Sequence, residues 1–118
     1  MNHRPTCPPI NELTTKQLLE LALKRVRVSI GSTSIVGKIE TDYEAIVLAV
    51  KYEKSHWILY TLSMRPDASS YRDYIREVNP EYETCVYFEI LESVTKEELL
   101  SHPSRLARNF AKLELQCT

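Results

Sequence analysis

Glycine is almost missing from this chain: its 118 residues hold only Gly31 and Gly37. A loop that cradles phosphate needs several glycines in close order so that its amides can approach the anion. Nucleotide binding by such a loop is therefore excluded. Cysteine is scarce, odd in number and dispersed, at Cys7, Cys85 and Cys117. That is neither a disulfide framework nor a C-x-x-C zinc pattern, and it points to a reducing compartment, cytoplasmic or nuclear. No apolar run approaches the ~18 residues of a membrane span. No N-terminal stretch has the basic-then-apolar layout of a secretory leader, so no membrane association is expected. The three histidines, His3, His56 and His102, make no His-x-His or His-x-x-x-His pair. Neither a metal nor a cofactor is expected.

What is present suffices for one globular domain. Hydrophobic residues make up 43% and charged residues 26%, close to the average for folded domains. A chain of this length buries a core without staples. The net charge is −1 but is unevenly spread, with a basic first third (residues 1–38) and an acidic remainder. There are seven tyrosines but only two phenylalanines. That excess suits half-exposed surfaces such as interfaces, where a ring has one apolar and one wet end.

Residues 1–13 read as an extended lead-in carrying Pro5, Pro8 and Pro9, and residues 14–118 as a single α+β domain. Thr14 with Gln17 forms a capping box, and Leu13 with Leu18 a hydrophobic staple, predicting a helix over about 15–23. Val26, Val28 and Ile30 alternate with Arg25, Arg27 and Ser29, as in a half-buried strand. Three further strands are predicted, over 35–40, 46–50 and 56–62, with turns at Gly31–Ser34, Asp42–Glu44 and Lys51–Ser55, giving an antiparallel meander. Tyr71, Tyr74, Ile75 and Val78 predict a helix over 68–78, stopped by Asn79–Pro80. A fifth strand is predicted over 84–91. Thr95 with Glu98 then starts a helix that breaks near Ser101–His102, and a last helix over 104–114 would bury Leu106, Phe110 and Leu113.

Candidate chemistry is thin. Cys85 and His56 would make a nucleophile–base pair only if the fold joined them. Glu40, Asp42 and Glu44 lack the ligand number and turn glycine of a calcium loop. Asp42, Glu53 and Lys54 are the residues a metal-dependent nuclease would use. The expectation is a domain that binds and does not catalyse.

The helix followed by Arg25-Val26-Arg27-Val28, a turn, Gly37-Lys38-Ile39 and an apolar strand resembles the first half of an Sm or LSm domain. The resemblance implies a short helix and a strongly bent five-stranded sheet or barrel whose members pair edge to edge through the fourth and fifth strands. The uridine-binding Asp and Asn of that family are not both present: Asp42 is offset by one residue and no Asn follows. The Ile-Arg-Gly-like turn is missing too, so ring-type RNA binding is not implied. Divergent Sm-like proteins without those residues include the Gemin subunits of the SMN complex, which the chain resembles over 14–62 and, more loosely, in its C-terminal helices. The function implied is that of a non-enzymatic interaction subunit. It would join a related Sm-like partner in a complex that assembles Sm cores on spliceosomal snRNA, with any RNA association indirect. The interface residues expected are Trp57, Leu59 and Thr61 on one strand, Tyr71 and Tyr74 on the helix, and Val86, Phe88 and Ile90 on the fifth strand. A homodimeric chaperone or roadblock-like scaffold and a small nuclease are the alternatives.

Overall fold

The computed structural model describes residues 7–32, 38–64 and 75–116. Over these the protein is a small α+β domain with helix α1 (Thr15–Glu20), strands β1 (Lys24–Gly31), β2 (Ile39–Glu53), β3 (His56–Met64), β4 (Ile75–Val78) and β5 (Val86–Ser93), then helices α2 (Lys96–Leu100) and α3 (Arg105–Gln116). The five strands form one sheet in the order β4-β3-β2-β1-β5, each neighbouring pair antiparallel.

The start of α1 is fixed as its capping box requires. The Gln17 amide donates to Thr14 Oγ1 at 3.2 Å, and the Thr14 amide donates to Gln17 Oε1 at 2.9 Å. Thr14→Ala should cost about 1 kcal/mol, measured by urea denaturation. The helix ends sooner than its apolar spacing predicts. Leu21 to Leu23 form a turn, and Leu23 takes a positive φ of 57° so that its amide and carbonyl reach Val47 and Val94.

The predicted turn at Asp42–Glu44 does not exist. Ile39 to Glu53 is one continuous strand, which merges the expected second and third strands; of the former, 35–37 lie outside the described residues, with Gly37. Polar residues hold the strand because they face charges across the sheet: Glu44 and Glu92 both ion-pair with Arg25, the latter at 3.0 Å. Tyr43 meanwhile sits opposite Val28 and packs against the core. Exposed pairs of this kind add little stability each, but they make extended backbone acceptable for an Asp-Tyr-Glu sequence that otherwise favours a turn.

Residues 75–78 are the strand β4, paired with Leu59–Leu62, and not the end of a helix. The helical spacing of Ile75 and Val78 is also satisfied by opposite faces of a short strand: Ile75 packs in one cluster and Val78 in the other. Residues 68–74 of the expected helix lie outside the described residues.

Two cores lie on the two faces of the sheet. The first joins Ile10, Leu18 and Leu21 to residues from all five strands, including Val26, Val47, Leu59, Val78 and Phe88. The second joins Ile46, Leu48 and Leu62 to Val94, Leu99, Ala107 and Ala111 of the C-terminal segment. Ala45 to Leu48 are therefore all buried, as the unbroken apolar run leads one to expect of a doubly covered strand.

The 3-10 turn Ile10–Glu12 lies against both β5 and the 3-10 turn Pro80–Tyr82, which belongs to the connection from β4 to β5. Ile10, within the stretch expected to be an extended lead-in, is only 1% exposed and bridges the two.

A β-bulge at Leu48 sets much of the side-chain geometry. Val47 pairs with Thr61 and Ala49 with Tyr60, leaving Leu48 unpaired in the ladder. One extra residue inverts the alternation beyond it. Val50 and Tyr52 thereby return to the first face beside Leu59 and Trp57, while Lys51 joins Tyr60 and Phe110 on the second.

Candidate protein interface

The residues expected to form an interface do not share one exposed surface. Leu59 (0% exposed) and Thr61 (4%) are interior, and β3 is hydrogen-bonded to β2 on one side and to β4 on the other. The Thr61 hydroxyl donates to the Arg76 carbonyl at 3.2 Å. Trp57 is half-buried, Val86 and Phe88 belong to the first core, and Ile90 is exposed. Tyr71 and Tyr74 lie outside the described residues.

What these strands offer is main chain. Among the described residues no strand pairs with the outer side of β4 or β5. The hydrogen-bond phase of β5 is set at its start, where the Gly31 amide donates to the Cys85 carbonyl at 2.7 Å. In an antiparallel ladder bonded and non-bonded pairs alternate. Ser29–Tyr87 and Arg27–Glu89 are then the bonded pairs. Val86, Phe88 and Ile90 turn their N–H and C=O groups outward. The Cys7 thiol agrees with this phase: it lies 3.6 Å from the Phe88 carbonyl oxygen, on the outer side. Burial pushes that thiol's pKa up, with a smaller push from the charge of Glu89. Among the described residues the edge is thus occupied weakly at Phe88 and has no partner strand at Ile90.

The candidate chemical groups are held apart. Asp42 and Glu53 are eleven residues apart on β2, roughly 35 Å, so Asp42, Glu53 and Lys54 do not converge. Cys85 sits at the Gly31 end of the sheet, whereas His56 lies at the β2–β3 hairpin at the other end of β2. No cluster of three potential metal ligands occurs among the described residues. None of the described helices is long and apolar enough to cross a membrane.

The sequence carried no local signal for two further features. One is the packing of the C-terminal helices. Tyr60 and Phe110 have ring centroids 6.3 Å apart, and the Lys51 ammonium lies 5.9 and 5.8 Å from the two centroids. The Tyr60 hydroxyl donates to Glu53 at 3.0 Å. Its pKa is pushed up to about 12, first by burial and then by the bond to Glu53 and that residue's charge. An unfolded tyrosine ionises near pH 10. The contribution of Tyr60 to stability is thus fully present below about pH 10 and lost as pH rises through about 12. In a 295 nm titration Tyr60→Phe should remove an ionisation step at about pH 12.

The other feature is an aromatic corner at the β2–β3 hairpin. Tyr52 and Trp57 meet edge to face, with centroids 5.3 Å apart and planes at 69°. Beside them His56 Nδ1 is 3.3 Å from a Glu81 carboxylate oxygen.

Comparison with models of known families, with curated proteins and with solved structures finds no match to this chain.

Proposed function

We propose that this protein is an Sm-like interaction subunit that joins a related partner by strand addition at the edges of its sheet. The observation that carries the reading is the identity of those edges. In an Sm-type pair the fourth and fifth strands meet, and here β4 and β5 are the two outer strands of the five-stranded sheet that follows a short capped helix. The outward main chain of Val86, Phe88 and Ile90 supplies the donors and acceptors that β-augmentation uses. The two helices after β5 fit the resemblance to the Gemin subunits of the SMN complex, above all the sixth, and with it a role in assembling Sm cores on spliceosomal snRNA. The partner would be a second Sm-like chain, and RNA would be reached through the assembly.

Ile90→Pro tests this reading. Its amide points away from β1, so proline removes no bond of the ladder to β1, yet it takes a donor from the outer edge. Ile90→Lys places a charge on the same edge. Both variants should keep the fold, with a melting temperature within a few degrees of the parent, and both should lose the partner. Native mass spectrometry of material purified from cells reads the outcome. A heteromer with another Sm-like chain that disappears in both variants is the expected result. A homodimer, a lone monomer from the parent chain, or an assembly untouched by Ile90→Pro would overturn the proposal.

A further inference from the structure

The aromatic corner at the β2–β3 hairpin lines a cavity of about 220 Å³. Ile10, Leu13 and Leu18 line it together with the rings of Tyr52 and Trp57. His56, Pro80 and Glu81 belong to the same lining, with Asn11, Thr15 and Ser55. Size limits the occupant. Sites for drug-sized ligands or cofactors run from about 300 Å³ upward, so this cavity suits one side chain. Charge limits it further. Glu81, 3.3 Å from His56 Nδ1, is the one acidic residue in the lining, and neither Lys nor Arg is present, so the lining favours a cation over a phosphate or carboxylate. A second groove of similar volume, between the β2 bulge and α3, is apolar apart from Lys51 and Lys96 and holds no acidic side chain.

The corner is an assembled feature. Tyr52 and Trp57 are direct partners across the β2–β3 hairpin, and the bulge at Leu48 puts the pair on the face of the first core. Tyr52 is left 62% exposed, a large ring lining the cavity and only partly covered. An aromatic face with a carboxylate nearby attracts cations. Of the two basic side chains, arginine fits better. Its planar guanidinium lies flat on a ring while its edge N–H groups reach a carboxylate, and it gives up water more readily than a lysine ammonium does. We infer that the pocket bounded by Tyr52, Trp57 and Glu81 receives an arginine side chain presented by a protein partner. The site uses neither β4 nor β5, so it stands independently of the edge-pairing proposal.

Trp57 is the only tryptophan in the chain, and its emission therefore reports on this pocket alone. The probe is N-acetyl-arginine methylamide, titrated at constant ionic strength into the full chain. The controls are the neutral isostere N-acetyl-citrulline methylamide and N-acetyl-lysine methylamide. Expected is a saturable change in Trp57 emission, with a Kd of about 1–10 mM for so small a probe. The lysine derivative should bind several-fold more weakly, and the citrulline derivative should give no saturable change. Glu81→Gln and Tyr52→Leu, both at exposed positions, should each weaken binding about fivefold, whereas Ile90→Pro should leave it unchanged. No saturation by about 50 mM arginine probe, equal binding of the citrulline or lysine derivative, or full binding to both Glu81→Gln and Tyr52→Leu would each overturn the assignment. Circular dichroism of the two variants excludes misfolding as the cause of a loss.

Discussion

Leu59→Ala and Leu62→Ala should each destabilise the domain by about 2–5 kcal/mol, and their effects should add. Both leucines are 0% exposed, three residues apart on β3, yet they serve different cores. Leu59 lies between Val50 and Val78 on the face that the N-terminal segment covers. Leu62 lies between Ile46 and Ile75 on the face that α2 and α3 cover. Truncating either leaves a cavity that a sheet hydrogen-bonded on both sides cannot close. Sites without shared partners add within about 0.5 kcal/mol. The double variant should therefore lose most of the roughly 5–15 kcal/mol that holds a domain of this kind together. Urea denaturation of the two single variants and the double variant measures this. A coupling energy above about 1 kcal/mol would mean that the two faces behave as one core.

Ala107→Glu should release α3 from the sheet, at a cost of about 3 kcal/mol or more. Ala107 is 0% exposed and Ala111 1%, and both pack in the cluster that holds Ile46, Leu48, Leu62 and Leu99. A carboxylate there is both too large and unpaired in an apolar contact. Leu113→Glu is the matched control. Leu113 is 61% exposed, so the change should fall within about 0.5 kcal/mol of zero. Urea denaturation reads the two costs, and amide shifts would place the perturbation in α3 and the second core while leaving Trp57 in its native environment. Equal stability of Ala107→Glu and the parent would show that α3 contributes nothing to the second core.

That pair of variants also marks how far local pattern could be read. The apolar stripe Leu106, Phe110 and Leu113 predicts the burying face of α3, but the helix packs through Ala107 and Ala111, with Leu106 and Phe110 half-buried at its flanks. Periodicity finds the large residues; packing against α2 and the second core decides whether large or small ones make the contact. The turn expected at Asp42–Glu44 failed for a related reason. Residues that favour turns alone stay extended when Arg25 neutralises Glu44 from the neighbouring strand. Six of the expected interface residues were found by strand position, yet four of them, Leu59, Thr61, Val86 and Phe88, are buried side chains. A sequence does not record which way a strand's main-chain groups point until its partner and register are known.

The sequence by itself determined the local starts and the class: the capping box at Thr14, the alternating strand from Val26 to Ile30, the fifth strand, the break after Leu100, and an α+β domain with little glycine. These depend on neighbours within about four residues, where hydrogen-bond reach and side-chain period act without help from the rest of the chain. The tertiary structure alone decided that β2 runs unbroken, that Ile75–Val78 is an outer strand, that the bulge at Leu48 turns the Tyr52–Trp57 pair toward the first core, and that β4 and β5 are the outer strands among the described residues. Each of these is a choice of partner and register between segments far apart in the chain. The free energy that makes such a choice, two apolar faces covered at once, exists only when the whole sheet is assembled.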